Sequence, residues 1–244
     1  MIYLVMSYNG WCKKMRIYIR SKIEGERLFI GFMGIGGTGY FTIKHIIQNL
    51  EGVERIAYIE SPYLQPIAVY EDGVLRYPVE IYRRNRDIFL RIEDIPRGYK
   101  GNIFIKTILK YMKGKGIKEV IAIGGLTKSM QEGGDDTVRI VRNRYWVRDI
   151  DIREAPNNMR IFGPLATTLF YCEIYRIPAL AILAFSDENI VLDPIAVSNA
   201  VKTINDLFGY NLSTEDLVRA AHELNEILRR IEVGTEKGEK NIYS

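Results

Sequence analysis

Cysteine and histidine are both scarce in this chain of 244 residues. Cys12 and Cys172 are the only cysteines, too few for a disulfide framework or a cysteine-based zinc site. His45 and His222 are the only histidines. Both fall off the apolar stripes of their helices and are expected to be exposed helix residues rather than catalytic bases. No run approaches the roughly 18 apolar residues of a membrane-spanning helix, so no membrane partner is expected. The opening MIYLVMSYNGWCKK has a short apolar patch and no basic region before it, which does not read as a signal peptide. A cytoplasmic protein is expected. Clustered positive charge is missing too: the net charge is +4 and its basic residues are spread out, whereas nucleic-acid binding needs a patch.

Strands and helices alternate along the chain. RLFIGFM (27–33) reads as a strand running into the turn GIGGTG (34–39), followed by a helix with Ile43, Ile46, Ile47 and Leu50 on one side. RIAYIE (55–60) is a second strand and SPYLQP (61–66) a loop. Glu71, Asp72 and Gly73 mark the turn of a hairpin between IAVY and LRYPVEIYR. DIFLRIED (87–94), EVIAIGG (119–125) and PALAILAF (178–185) complete the strands. NIFIKTILKYMKGKG (102–116), GPLATTLFYCEIYR (163–176) and DPIAVSNAVKTINDLFG (193–209) are helical. A last helix starts at Ser213, where STED resembles a capping box, and carries Leu217, Ala220, Ala221 and Leu224 on its apolar side. Residues 127–160 are polar and match no period. This alternation implies an α/β domain with a mixed, largely parallel sheet; the stretch before Met15 is an extension without a readable period.

Few residues suggest chemistry. Gly34, Gly36 and Gly39 fit G-x-G-x-x-G between a strand and a helix, and Glu60 ends the next strand about twenty residues on, which is the context of a dinucleotide-binding fingerprint. Two readings fit. The glycines admit a pyrophosphate at the helix N-terminus, with Glu60 on a ribose hydroxyl, or they permit close approach of helix and strand while Glu60 ends a strand. The hairpin that follows, where a dinucleotide fold would continue with a helix and a parallel strand, weighs against the first. Glu132, Asp135 and Asp136 form an acidic glycine loop, expected to be solvated rather than a cation site. Asp149 and Asp151 would share one face of a strand, with nothing nearby to orient them as an acid–base pair. Arg139, Arg142, Arg144 and Arg148, interleaved with Tyr145 and Trp146, have an interface-like composition, though a surface strand is the expected reading. No metal ligand set and no catalytic centre emerges.

Taken in order, GFMGIGGTGYFTIKHIIQNL, the S-P-x-x-x-P-x-A-V segment (61–69), the D-G turn, the P-V-x-I-Y strand (78–82), EVIAIGG, GPLATTL and DPIAVSNAV resemble the archaeal branch of the proteasome assembly chaperone 2 family. The resemblance spans residues 15–232. It implies a three-layer α/β/α sandwich like that of purine nucleoside phosphorylases, no enzymatic activity and no cofactor. It implies as partners the α-subunits of the proteasome core particle, further copies of this chain, and a paralogous chaperone as a further candidate. It also makes the glycine turn a structural feature of the family. The same resemblance gives a meaning to Ile242, Tyr243 and Ser244, which match the hydrophobic–Tyr–any motif that family members insert between neighbouring α-subunits. Residues 233–244 are then a flexible tail, with 233–241 a tether of roughly 15–20 Å r.m.s. span. The α-carboxylate of Ser244 would meet a lysine of the receptor pocket, Tyr243 would be an aromatic anchor, and Ile242 would contribute about 1.5–3 kcal/mol on full burial.

Overall fold

The computed structural model describes residues 2–6, 15–19, 21–71, 73–134 and 136–223. Its centre is one nine-stranded sheet. In chain order the strands are β1 (Ile2–Met6), β2 (Met15–Ile19), β3 (Arg27–Gly31), β4 (Glu54–Glu60), β7 (Val79–Arg84), β8 (Asp87–Ile92), β9 (Glu119–Thr127), β10 (Val138–Arg142) and β11 (Ala179–Ser186), with β5 (Val69–Glu71) and β6 (Val74–Arg76) forming a separate two-stranded ribbon. The spatial order is β1-β2-β4-β7-β8-β3-β9-β11-β10. The block β8-β3-β9-β11 is parallel; β1, β2, β4 and β7 extend it on one side with antiparallel pairs, and β10 on the other. The sheet is therefore mixed, as expected, with its parallel pairings concentrated in the middle.

Four helices complete the layers: α1 (Thr38–Asn49), α2 (Tyr99–Gly114), α3 (Gly163–Tyr175) and α4 (Pro194–Phe208). The parallel strands are apolar on both faces because helices cover both. Leu28, Ile30, Ile88, Leu90, Val120 and Ala122 face one core with Phe104, Ile105 and Ile108 of α2. Phe29, Phe89, Ile121 and Ile123 face the other, with Ile43 and Ile46 of α1 and Ala196, Val197, Ala200 and Val201 of α4. Side chains alternate between these cores residue by residue, as the period of two dictates. The result is the α/β/α sandwich that the resemblance implies.

Local chemistry explains the helix ends. Pro194 opens α4, the Asp193 side chain accepts from the backbone N–H of Ile195 and Ala196, and Gly209 closes the helix at φ 69°, the arrangement of cap, first-turn proline and terminal glycine that isolated helix ends favour. Beyond it, the chain is tied back to the sheet. Tyr210 Oη donates to Asp87 Oδ2 at 2.5 Å, and Arg27 grips the same carboxylate through two contacts of 2.6 and 3.0 Å. Glu215 N donates to Ser213 Oγ, and the last helix begins at residue 215, consistent with Ser213 lying at its start.

Several expectations need correction. His45 is buried, not exposed: its Nε2 donates to the carbonyl of Ser213 at 2.8 Å while Asn49 lies against Nδ1. The connection after α4 folds over α1, a tertiary contact that no helical period reveals. His222 is exposed as expected. Residues 149–151 are not a strand, so Asp149 and Asp151 share no strand face. The segment 127–160 does contain a strand, β10, paired with β11. Of its basic cluster, Arg139 is buried within β10 rather than on a surface, and its guanidinium meets Asp136 at 2.5 Å. β1 gives the N-terminal extension a strand, paired with β2.

Candidate functional site

The glycine turn is a structural joint. Gly36 has φ 53°, a left-handed conformation that glycine alone adopts without strain. A Cβ there would stand 1.8 Å from Ser186 Oγ and 2.9 Å from Asp193 Cβ. One at Gly39 would fall 2.3 Å from the carbonyl oxygen of Ile123. The glycines thus let α1 start directly over β3 and β9, and they let the loop before α4 close down on the turn. Asp193 N donates to Gly36 O at 2.9 Å, and the carboxylate of Asp193 is held beside it by Asp187 N and Lys128. A buried carboxylate next to the turn is a poor neighbour for a pyrophosphate.

The structure brings Gly34, Gly36 and Gly39 into this one turn but does not bring Glu60 to it. β4 lies three strands from β3, a separation of about 14 Å at 4.7–4.9 Å per strand. Glu60 instead accepts from the hydroxyl of Tyr18, at the rim of a cleft of about 470 Å³. Tyr18, Tyr58 and Tyr77 form a ladder in this cleft, with ring centroids 4.7 and 4.0 Å apart, beside Leu64 and Pro66 of the loop SPYLQP. The dinucleotide constellation read from spacing is therefore not assembled.

Most acidic and basic residues of 127–160 are engaged in ion pairs, some with residues outside the segment. Asp136 takes Arg139, and Glu132 takes Arg153 at 2.8 Å; Asp135 lies outside the described residues. Arg142 pairs with Glu154 at 2.5 Å and Arg144 with Glu173. Arg148 stacks 4.6 Å over the buried Trp146 and bonds Glu119. Tyr145 shares the turn that carries these side chains. Among the described residues no group of three or more His, Cys, Asp or Glu is placed to hold a metal, and no helix is long and apolar enough to cross a membrane.

A different cluster escaped the sequence reading. Glu80 and Arg91 are buried and directly opposed across β7 and β8. Arg91 Nη1 lies 3.0 Å from Glu71 and 3.7 Å from Glu80, and Nη2 pairs with Glu93. Glu80 also takes Arg55 at 2.5 Å and the hydroxyl of Tyr82 at 2.7 Å, while Lys44 reaches Glu71 at 2.6 Å. Burial favours the neutral form of Glu71, but Lys44, Arg91 and Arg76 outweigh it and hold its carboxyl below the usual range. Burial, with Glu80 beside it, pushes the Tyr82 hydroxyl up to about 12. The available signal was a charged residue at one inward position of each strand, in V-E-I and L-R-I.

Ile242, Tyr243 and Ser244, with the tail 233–244 that carries them, lie outside the described residues. Phe162, Phe170 and Ile174, at and along α3, are strongly exposed.

The whole described chain has relatives of the same shape. Pyrococcus furiosus PbaA, described as an archaeal homolog of proteasome-assembly chaperone, superposes with a TM-score of 0.75 at 19% identity, over 93% of this chain and 95% of its own. P. furiosus PbaB, described as an archaeal proteasome activator, gives 0.72 at 19% identity, over 89% and 98%. An uncharacterized protein of Methanocaldococcus jannaschii is 24% identical over 225 residues, covering 89% of this chain and 90% of the relative. The superpositions show a shared fold. The sequence itself matches the model of the PAC2 family over residues 28–232, from the first parallel strand past the last described helix; the chain belongs to the PAC2 family.

Proposed function

We propose that this protein is a non-enzymatic factor of the proteasome, an assembly chaperone or activator, that binds core-particle α-subunits through Ile242, Tyr243 and Ser244. The observation that carries this reading is the family match over residues 28–232 together with a hydrophobic–Tyr–any sequence just beyond it. The descriptions of PbaA as a chaperone homolog and of PbaB as an activator support the same partner.

The chemistry of such docking is coherent. A terminal Ser244 carboxylate would offer a charge-assisted contact to a receptor lysine that no internal residue can imitate. Tyr243 buries a ring while its hydroxyl stays bonded. A single three-residue contact is weak once the ordering cost is subtracted. Several tails on one scaffold bind together far more tightly, because the first contact raises the local concentration of the rest. That requirement points to a homo-oligomer, or to assembly with a paralogous chain. The exposed Phe162, Phe170 and Ile174 support such self-association.

The test is capture of purified core particle by the intact chain and by a chain lacking residues 242–244, with the native mass of each measured alongside. Equal capture by both would remove the tail from the account.

A further inference from the structure

We infer that the cavity beside the buried ion-pair cluster is a binding site for a small phosphate-bearing anion. The cavity measures about 450 Å³, within the range of small-molecule sites. It lies between α1, the antiparallel strands β4, β7 and β8, and the β5–β6 ribbon, and Lys44, Arg55, Arg76 and Arg91 all line it.

Charge is the first reason. Among the described residues, these four cations are answered by three carboxylates, Glu71, Glu80 and Glu93. Among the described residues the cluster thus has one more cation than carboxylate beside an open volume. Hydrogen bonding is the second reason. Arg91 is 3% exposed, and its Nε has no partner among the described residues; the Nε of Arg76 is buried and equally unsatisfied. Arginine presents its five N–H donors as a planar fork that matches oxyanions. Here two such forks line one cavity, and each has a buried Nε without a partner that an anion would reach as the side chain turns. Arg76 is otherwise held loosely, 4.0 Å from Glu71 and 3.4 Å from the hydroxyl of Tyr82.

The arrangement favours phosphate over carboxylate. Glu71 and Glu80 each already bridge two or more of these cations, and a tetrahedral anion with several acceptor oxygens on one centre can meet more than one cation in the same way. Ile47 and Val53 add an apolar wall suited to the organic part of a phosphate monoester. Glu71 sits at the end of β5, in contact with both Lys44 and Arg91, so an incoming phosphate competes with it directly.

The experiment is calorimetric titration and thermal melting of the full chain with inorganic phosphate at constant ionic strength, with sodium chloride and acetate as controls. Phosphate is expected to raise the melting temperature by a few degrees at millimolar concentration, with no effect of chloride or acetate. Lys44→Gln combined with Arg76→Gln, both at the more open side of the cluster, is expected to weaken phosphate about tenfold or more. Glu71→Gln is expected to tighten it, because the competing carboxylate is gone while the fold keeps an amide of the same size. Phosphate heat and melting shift no larger than those of chloride would overturn the proposal, as would binding undiminished in the double variant. An equal response to acetate would overturn the assignment to phosphate.

Discussion

Glu80 and Arg91 stand opposite each other in register across the β7–β8 hairpin, both buried, yet Arg91 lies closer to Glu71 than to Glu80. Glu80 is instead the shared acceptor for Arg55, Tyr82 and the backbone N–H of Tyr77. A buried carboxylate with this many donors ties β4, through Arg55, and the backbone after the β5–β6 ribbon, through Tyr77, to β7. Removing it takes the carboxylate partner from the half-buried Arg55 and the acceptor from the Tyr82 hydroxyl, while Arg91 keeps Glu71 and Glu93.

Glu80→Ala is therefore expected to cost about 3–5 kcal/mol, the range for breaking one side of a buried ion pair. Urea unfolding of the variant and the parent checks this. A loss below about 1 kcal/mol, the size of a surface pair, would show that the cluster is solvated.

Glu71 should contribute to acid sensitivity. Its folded carboxyl is held below the usual range, so its contribution is present above the unfolded value of about 4.3 and is lost as pH falls through the lower folded value. Glu71→Gln is expected to lose less stability than the parent between about pH 5 and 3. Unfolding curves measured across that interval decide it, and parallel losses would contradict the stated role of Lys44 and Arg91.

The glycine turn predicts a contrast between neighbours. Gly39→Ala forces a methyl against the backbone of Ile123 and Phe32 and is expected to cost about 1–3 kcal/mol or more. Gly34→Ala, with nothing within 4 Å of its Cβ position, should cost less than about 1 kcal/mol. Millimolar NAD should leave the melting temperature unchanged. A rise of several degrees would restore the turn as a cofactor site.

Burial pushes the Cys172 thiol up to about 12. In a Cys12→Ser variant it is expected to resist a thiol reagent at neutral pH until denaturant is added, because the reactive species is the thiolate. Rapid labelling of the folded variant would show that α3 opens readily.

Most of the fold was legible because the parallel strands are short apolar runs with glycine or proline at their ends, and the helices repeat at 3.6. β10 was not, since V-R-I-V-R places a buried arginine where a period of two predicts a solvated one, and the compensating Asp136 comes from a loop. His45 was misread for a similar reason, its partner being a carbonyl 168 residues away. The glycine motif was read correctly as a strand-to-helix turn. Its link to Glu60 depended on strand order, which spacing does not encode: the β7–β8 hairpin inserts between β4 and β3. The ion-pair cluster was missed because its members come from α1, β4, the β5–β6 ribbon and the β7–β8 hairpin, each an isolated charge in its own segment.

The most direct measurement of the central claim is the affinity of immobilised proteasome core particle for the intact protein, for Tyr243→Ala and for the chain lacking residues 242–244, each with its native mass and melting temperature recorded. The account predicts a loss of at least about thirtyfold for Tyr243→Ala, since anchor residues truncated to alanine cost about 2 kcal/mol or more, and near-complete loss on deletion, with mass and melting unchanged. Undiminished binding by the truncated chain would contradict it.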